Sequence, residues 1–269
     1  MAVVGLDITK QSPFADGETF GDVGSYELLE GTVHFSVDPE NARNRPINDL
    51  DLAPRDSSGK VWFSSDFAIL QPTEQQRGNH RILFDVVNRG RKTALSLNGV
   101  PTADPTAPLA SGNGFLMRYG YTVVWCGWQA DVPVSPGLIG LQGPEALGPN
   151  GPLTGRILCY FQCDEPTQVL LLSHRQHNPH PPADASDQSA TLTVREHPNM
   201  PARPIDRGEW SFVRVEEEQV ESQPSHIHMP AGFQPGKIYE LVYQTVGSQI
   251  VGLGFAAVRD MVSYLKYAP

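Results

Sequence analysis

The segment that most restricts the fold is GLGFAAVRDMVSYLKY, close to the carboxyl end of the chain. Read at 3.6 residues per turn, Phe255, Val258, Val262 and Leu265 form one stripe, and Ala256, Ala257, Met261 and Tyr264 widen it. Only Arg259, Asp260 and Lys266 are charged across Leu253–Tyr267. A helix this apolar must lie against a sheet or another helix. In a strand–helix–strand crossover it would feed a following strand, and no strand-like run follows it here. The expectation is that the element it prepares lies outside these 269 residues.

The rest of the chain reads mainly as strands. TVHFSV places Val33, Phe35 and Val37 on one face and Thr32, His34 and Ser36 on the other, and VWFSSDFAIL (Val61–Leu70) is a second such run. RILFDVV (Arg81–Val87) is apolar almost throughout, which suits a central strand covered on both faces. A loop, NRGRK, follows it. GNGFLMRYGY then has Phe115, Leu116 and Tyr119 at helical spacing, and YTVVWCGW (Tyr121–Trp128) reads as another buried strand. Strand, loop, short helix and strand make a βαβ unit, the building block of a parallel sheet.

Beyond about Asp131 the pattern changes to short strand-like runs broken by glycine and proline: RILCYF, QVLLLS, ATLTVRE and WSFVRV. The 25 glycines and 24 prolines show no period, so they point to many loops rather than to repeats or disorder. The organisation expected is a first sheet over 1–130, a β-rich insertion or lid over 131–236, and a return strand with the apolar helix over 237–269. KIYELVYQTV, with Tyr239, Leu241 and Tyr243 on one face, is the return strand.

Charge excludes one class of partner. The net charge is −10, and no Lys/Arg block supplies the basic face that phosphate backbones require, so nucleic acid is not expected. No apolar run reaches membrane-spanning length and no basic n-region precedes an apolar stretch at Met1, so neither a membrane nor export is expected. Three cysteines, Cys126, Cys159 and Cys163, suit a reducing, cytoplasmic setting. Cys159 and Cys163, four apart on a strand, lie about 13 Å from each other, too far for a disulfide.

Several long strings, SPFADGETFGDVGSYELLEGTVHFSVDP, NDLDLAPR, VVNRGRK, GNGFLMRYGYTVVWCGWQADV, ATLTVREHP, MPAGFQPGKIYELVYQTV and GLGFAAVRDMVSYLKY, together resemble the N-terminal part of a family of large bacterial α/β-hydrolase-domain proteins of the serine esterase type. The resemblance covers essentially the whole chain. It implies an α/β fold with an incomplete α/β-hydrolase-type sheet, a loop that donates to an oxyanion, and a β-rich insertion. It also implies a carboxylic-ester substrate. In that family the strand after the apolar helix leads to a G-x-S-x-G elbow, a tight turn that needs glycines beside the serine. No G-x-S-x-G occurs here: LASGNG and VGSQIVG have neither its spacing nor a strand before it. The Ser, acid and His are therefore expected outside the chain, and the chain by itself is expected to be inactive.

On this reading the site residues are Asn88, Arg89 and Gly90, the loop after the first apolar strand, where backbone N–H groups would hold a tetrahedral oxyanion. The plainer reading is a tight turn stabilised by Asn88. Arg89, Arg91 and Lys92 could hold a substrate carboxylate, although solvated charges account for them more simply. Asp85, inside an apolar strand, is expected to tie a loop. No cofactor and no metal are expected: His174, His177 and His180 lie on a proline-flanked loop, and His226 and His228 have no matching third ligand. Cys126 sits in a buried strand, where its thiol would be inert. The partners expected are a small-molecule ester and a C-terminal catalytic segment, or a second copy bound through Leu253–Tyr267. The rival reading is a binding module without catalysis, built on the same front half.

Overall fold

The computed structural model describes residues 2–102, 104–173, 177–214 and 224–267. The chain divides into two units, Met1–Ala146 with Gln249–Pro269, and Leu147–Ser248. The second is thus inserted into the first. An isolated bridge between Glu145 and Gln249 joins the two ends of the first unit where the insertion leaves and returns.

Six strands build the sheet of the first unit: β1 (Val3–Pro13), β2 (Tyr26–Val37), β3 (Val61–Pro72), β4 (Ile82–Val86), β5 (Thr122–Cys126) and β6 (Leu141–Gln142). Their order is β1-β2-β3-β5-β4, with β6 also paired to β3. The pairs β1/β2, β2/β3 and β3/β5 are antiparallel, and β4 runs parallel to β5. Burial along β3 shows why the pattern changes along it. Val61, Phe63 and Ser65 are buried between more exposed neighbours, whereas Phe67 to Leu70, the residues facing β5, are buried on both faces. Phe35 and Phe63, opposite one another on β2 and β3, stack with ring centroids 4.7 Å apart. One core gathers Phe14, Phe20, Tyr26, Leu70, Leu95, Met117 and Trp125.

The expectation of an α/β fold with an incomplete α/β-hydrolase-type sheet is corrected. Residues in strands outnumber those in helices, nearly all pairings are antiparallel, and β4/β5 is the one parallel pair among the described residues. Among them there are two α-helices: α1 (Phe115–Arg118), a single turn, and α2 (Leu253–Tyr267). The crossover between β4 and β5 forms no more α-helix than the single turn α1 for a physical reason. Pro101, Pro105 and Pro108 interrupt it, and Gly99, Gly112 and Gly114 take positive φ, so the chain spends this length on a 3₁₀ turn and loops.

β4 also departs from expectation. It is an edge strand rather than a central one, with β5 as its partner, and Ile82 and Val86 are 43% and 51% exposed. A continuous apolar run fits either place, since periodicity does not tell them apart.

In α2 the buried stripe is shifted around the helix from the one expected: Ala256, Ala257 and Met261 lie in it as read, but Phe255 and Val262 do not. Leu253, Gly254, Ala256, Ala257, Asp260 and Met261 are buried, while Phe255, at 69% exposure, and Val262 face outward. The small residues decide it, because they bring the helix axis closest to its support. Gly254 lies so near Trp128 that a Cβ there would be 1.9 Å from the Trp128 carbonyl oxygen. Asp260 is paired through both oxygens with Arg259, whose guanidinium also donates to the side chain of buried Asn44. That latch fixes the 38–49 turns against the helix.

Among its described residues the second unit consists of strands and loops with one 3₁₀ turn, Arg207–Glu209. It contains a hairpin, β7 (Leu147–Gly148) and β8 (Gly151–Pro152), and then β9 (Thr154–Phe161), β10 (Thr167–Leu171), β11 (Thr191–Arg195), β12 (Arg203–Ile205), β13 (Ser211–Val213), β14 (His226–Phe233) and β15 (Ile238–Val246). The sheets are β12-β11-β15-β9 and β10-β14-β13, both antiparallel. Both contribute to one core, where Leu192, Tyr239, Leu241 and Tyr243 meet Phe212, Ile227 and Phe233. β15, read from sequence as a strand returning to the first sheet, is an inner strand of this second unit.

Candidate functional site

β4 ends at Val86, and the chain turns back at once. Val87 is buried, and its carbonyl accepts the indole N–H of Trp128. The Arg91 N–H closes the turn on the Asn88 carbonyl at 3.2 Å. To do so, Arg89 and Gly90 both adopt positive φ, 55° and 75°. For glycine this costs little, but for Arg89 it is a sparsely populated conformation that the surroundings must impose. They do so from the segment after β5. The Arg89 N–H donates to Gln129 Oε1 at 2.6 Å, and the Gly90 carbonyl accepts the Ile139 N–H at 3.0 Å. A Cβ on Gly90 would sit 2.8 Å from both the Ile139 carbonyl oxygen and Val132 Cγ1, so glycine is needed for close approach as well as for φ.

Asp85 holds the other side of the loop. Its carboxylate accepts the N–H groups of Thr93 and Ala94 at 2.8 and 2.7 Å and the indole N–H of Trp125 at 2.8 Å. It therefore ties a loop, as a carboxylate in an apolar strand must if it is to be satisfied.

The three site residues read from sequence thus share one rigid turn at the carboxyl end of a parallel strand, a place where α/β sheets commonly bind ligands. Their surroundings differ. Asn88 is exposed, Arg89 is half-buried with its N–H facing an oxygen acceptor, and Gly90 is buried against Val132 and Ile139. What the turn can do chemically is offer a backbone N–H to an oxygen; the Gln129 amide oxygen occupies that position in the present structure. Gln129 is the participant that sequence reasoning missed. It lies within GWQADV, but nothing in its local spacing marks a partner forty residues from Arg89.

Of the remaining candidates, Arg91 closes this turn and Lys92 follows it. Among the described residues no group of three or more His, Cys, Asp or Glu is placed to hold a metal ion. His174 lies outside the described residues. His226 and His228 alternate with buried Ile227 and Met229 on β14, and Ser225 Oγ lies 2.8 Å from His226 Nδ1. Burial pushes the Cys126 thiol up from 9.0 to about 11, and Cys159 is raised for the same reason, so neither is poised as a nucleophile. All three cysteines are unpaired. Among the described residues no helix is long and apolar enough to cross a membrane. Compared with known proteins, the chain matches no family model, no curated protein and no solved structure.

Proposed function

We propose that the chain supplies the oxyanion-binding turn, Asn88–Gly90, of a site that hydrolyses carboxylic esters, with the serine, acid and histidine contributed by a segment outside these residues. The observation that carries this reading is the Arg89 N–H, held at positive φ and aimed at an oxygen. Serine attack on an ester places negative charge on the carbonyl oxygen, and a preorganised N–H at that point is typically worth on the order of 10²–10³ in kcat. Gln129 would swing aside to admit the substrate oxygen, while the Asp85 and Ile139 contacts keep the turn in place. The sequence contains no G-x-S-x-G, in keeping with a nucleophile contributed from outside it on this proposal.

The test is fluorophosphonate labelling read by intact mass, run alongside hydrolysis of 4-nitrophenyl butyrate. The purified chain should form no adduct and turn over no ester; joined to the segment its reading frame encodes next, it should do both. An adduct on the chain alone, or silence in the joined protein, would sink the assignment.

A second reading, a binding module without catalysis, draws on the outward face of α2. Phe255, Val262 and Tyr267 are exposed there at 69%, 40% and 65%, more apolar surface than one isolated residue would explain. On that reading the native protein is a dimer by light scattering and Phe255→Asp makes it monomeric. A wild-type monomer would remove self-association through this helix.

A further inference from the structure

A cleft of about 500 Å³ opens within the first unit, between the start of the sheet and the Pro105–Leu109 loop. Asn88, Arg89 and Gly90 are not among its walls. Part of its wall is charged. β1 carries an extra residue between Ile8 and Lys10 where it pairs with β2, a bulge of the kind that re-aims a side chain. Lys10 comes to lie opposite Glu30, and its ammonium is 2.9 Å from the Glu30 carboxylate, so those two charges answer each other.

Lys92 enters from a different element. It is half-buried, and its ammonium donates to the Gly137 carbonyl at 3.0 Å, which takes one of its three N–H groups. Loss of hydration lowers its proton affinity; Glu30 and Asp66 favour its charge and Lys10 opposes it. An ammonium so placed is stabilised by an anionic oxygen that restores what burial removed. Apolar Phe14, Leu28, Pro105 and Leu109 complete the wall.

The cleft is also shaped in advance. Gly137, at φ 79°, approaches Pro105 so closely that a Cβ would lie 1.7 Å from the Pro105 carbonyl oxygen. Ala15 and Asp16 form part of the wall at φ 48° and 53°, sparsely populated conformations for non-glycine residues that gather where ligands bind. The Glu30 and Asp16 carboxylates, both on the wall, disfavour a second negative charge.

We infer that this cleft binds a small monocarboxylic acid with a short hydrocarbon tail, its carboxylate on the Lys92 ammonium and its tail against Phe14, Leu28 and Leu109. The inference does not rest on the ester-hydrolysis reading. The test titrates the full chain with sodium hexanoate, followed by amide chemical shifts, with 1-hexanol and hexylammonium chloride titrated in parallel. Hexanoate should saturate one site, with shifts centred on residues 10–16, 28–30, 92 and 105–109. Both controls should bind roughly tenfold more weakly or worse, the loss expected when a charge-assisted hydrogen bond is missing. Lys92→Met should weaken hexanoate by a similar factor, and Lys92→Arg should restore part of it. Hexanol binding as well as hexanoate, shifts centred elsewhere, or no saturation at all would overturn the inference. These outcomes are read on the wild-type protein, so they decide it even if Lys92→Met does not fold.

Discussion

Asp85→Ala should destabilise the first unit by about 3–5 kcal/mol, the range for stranding buried hydrogen-bonding groups whose charged partner has been removed. The carboxylate accepts from the Thr93 and Ala94 N–H groups and from the Trp125 indole. Trp125 is fully buried, so its indole N–H has no water to turn to. Asp85→Asn can keep an oxygen where all three bonds converge, Oδ2, and should recover part of the loss, short of the charge-assisted share. Because the chain has two units, a single melting temperature could average over both. The better measurement is hydrogen exchange of amides in Thr122–Cys126, which should quicken sharply in Asp85→Ala while those of Ile238–Val246 keep their wild-type rates. Equal protection in wild type and variant would refute the role assigned to Asp85.

The second large effect is one of sign. Helix propensity alone says that Gly254→Ala should stabilise α2 by about 1 kcal/mol. The contact with Trp128 says the opposite: the new methyl carbon would stand 1.9 Å from a backbone oxygen, far inside any real contact. The helix must then shift outward, loosening Leu253, Ala257 and Met261, all of them buried. A net destabilisation of about 3–5 kcal/mol is expected from that lost packing, measured by denaturant unfolding of the intact protein. A variant as stable as wild type, or more so, would show that the close approach is not what seats the helix.

How far the sequence could be read depended on the range of the interaction involved. β2, β3, β5 and β15 were legible because alternation is written locally, side chain by side chain. The parallel pairing of β4 with β5 was legible too, from strand, loop and strand. The fold class was not: the resemblance suggested an α/β-hydrolase-type sheet, whereas the short helix at Phe115 is a single turn and nearly all the strand pairings are antiparallel. The place of β4 at the edge was hidden because what covers a strand lies far away in the chain. In α2 the helix itself was plain and Ala256, Ala257 and Met261 were read on its buried side, but Phe255 and Val262 were taken for the centre of that side, whereas Gly254 allows the closest contact. At the site, the turn at Asn88–Gly90 was visible through its glycine and its position after a strand. Gln129 and Ile139, which clamp it, come from forty to fifty residues downstream, and no spacing rule reaches that far. Lys92 was noticed only as one charge in a basic cluster; its cleft depends on Gly137 and on the bulge in β1, neither of which a linear pattern reveals.

The insertion of one unit inside the other carries a consequence for how the protein is made. The strands of the first sheet are complete once Gln142 has been synthesised, yet α2 comes only after Ser248. At about 5–20 residues per second, a ribosome takes on the order of 5–20 s to build the intervening segment. Throughout that interval the nascent sheet has no lid over the surface that Leu253 and Met261 will seal. A chain translated in this order is most exposed to wayward association midway through its own birth, and slowing translation between codons 147 and 248 should lengthen that vulnerable window.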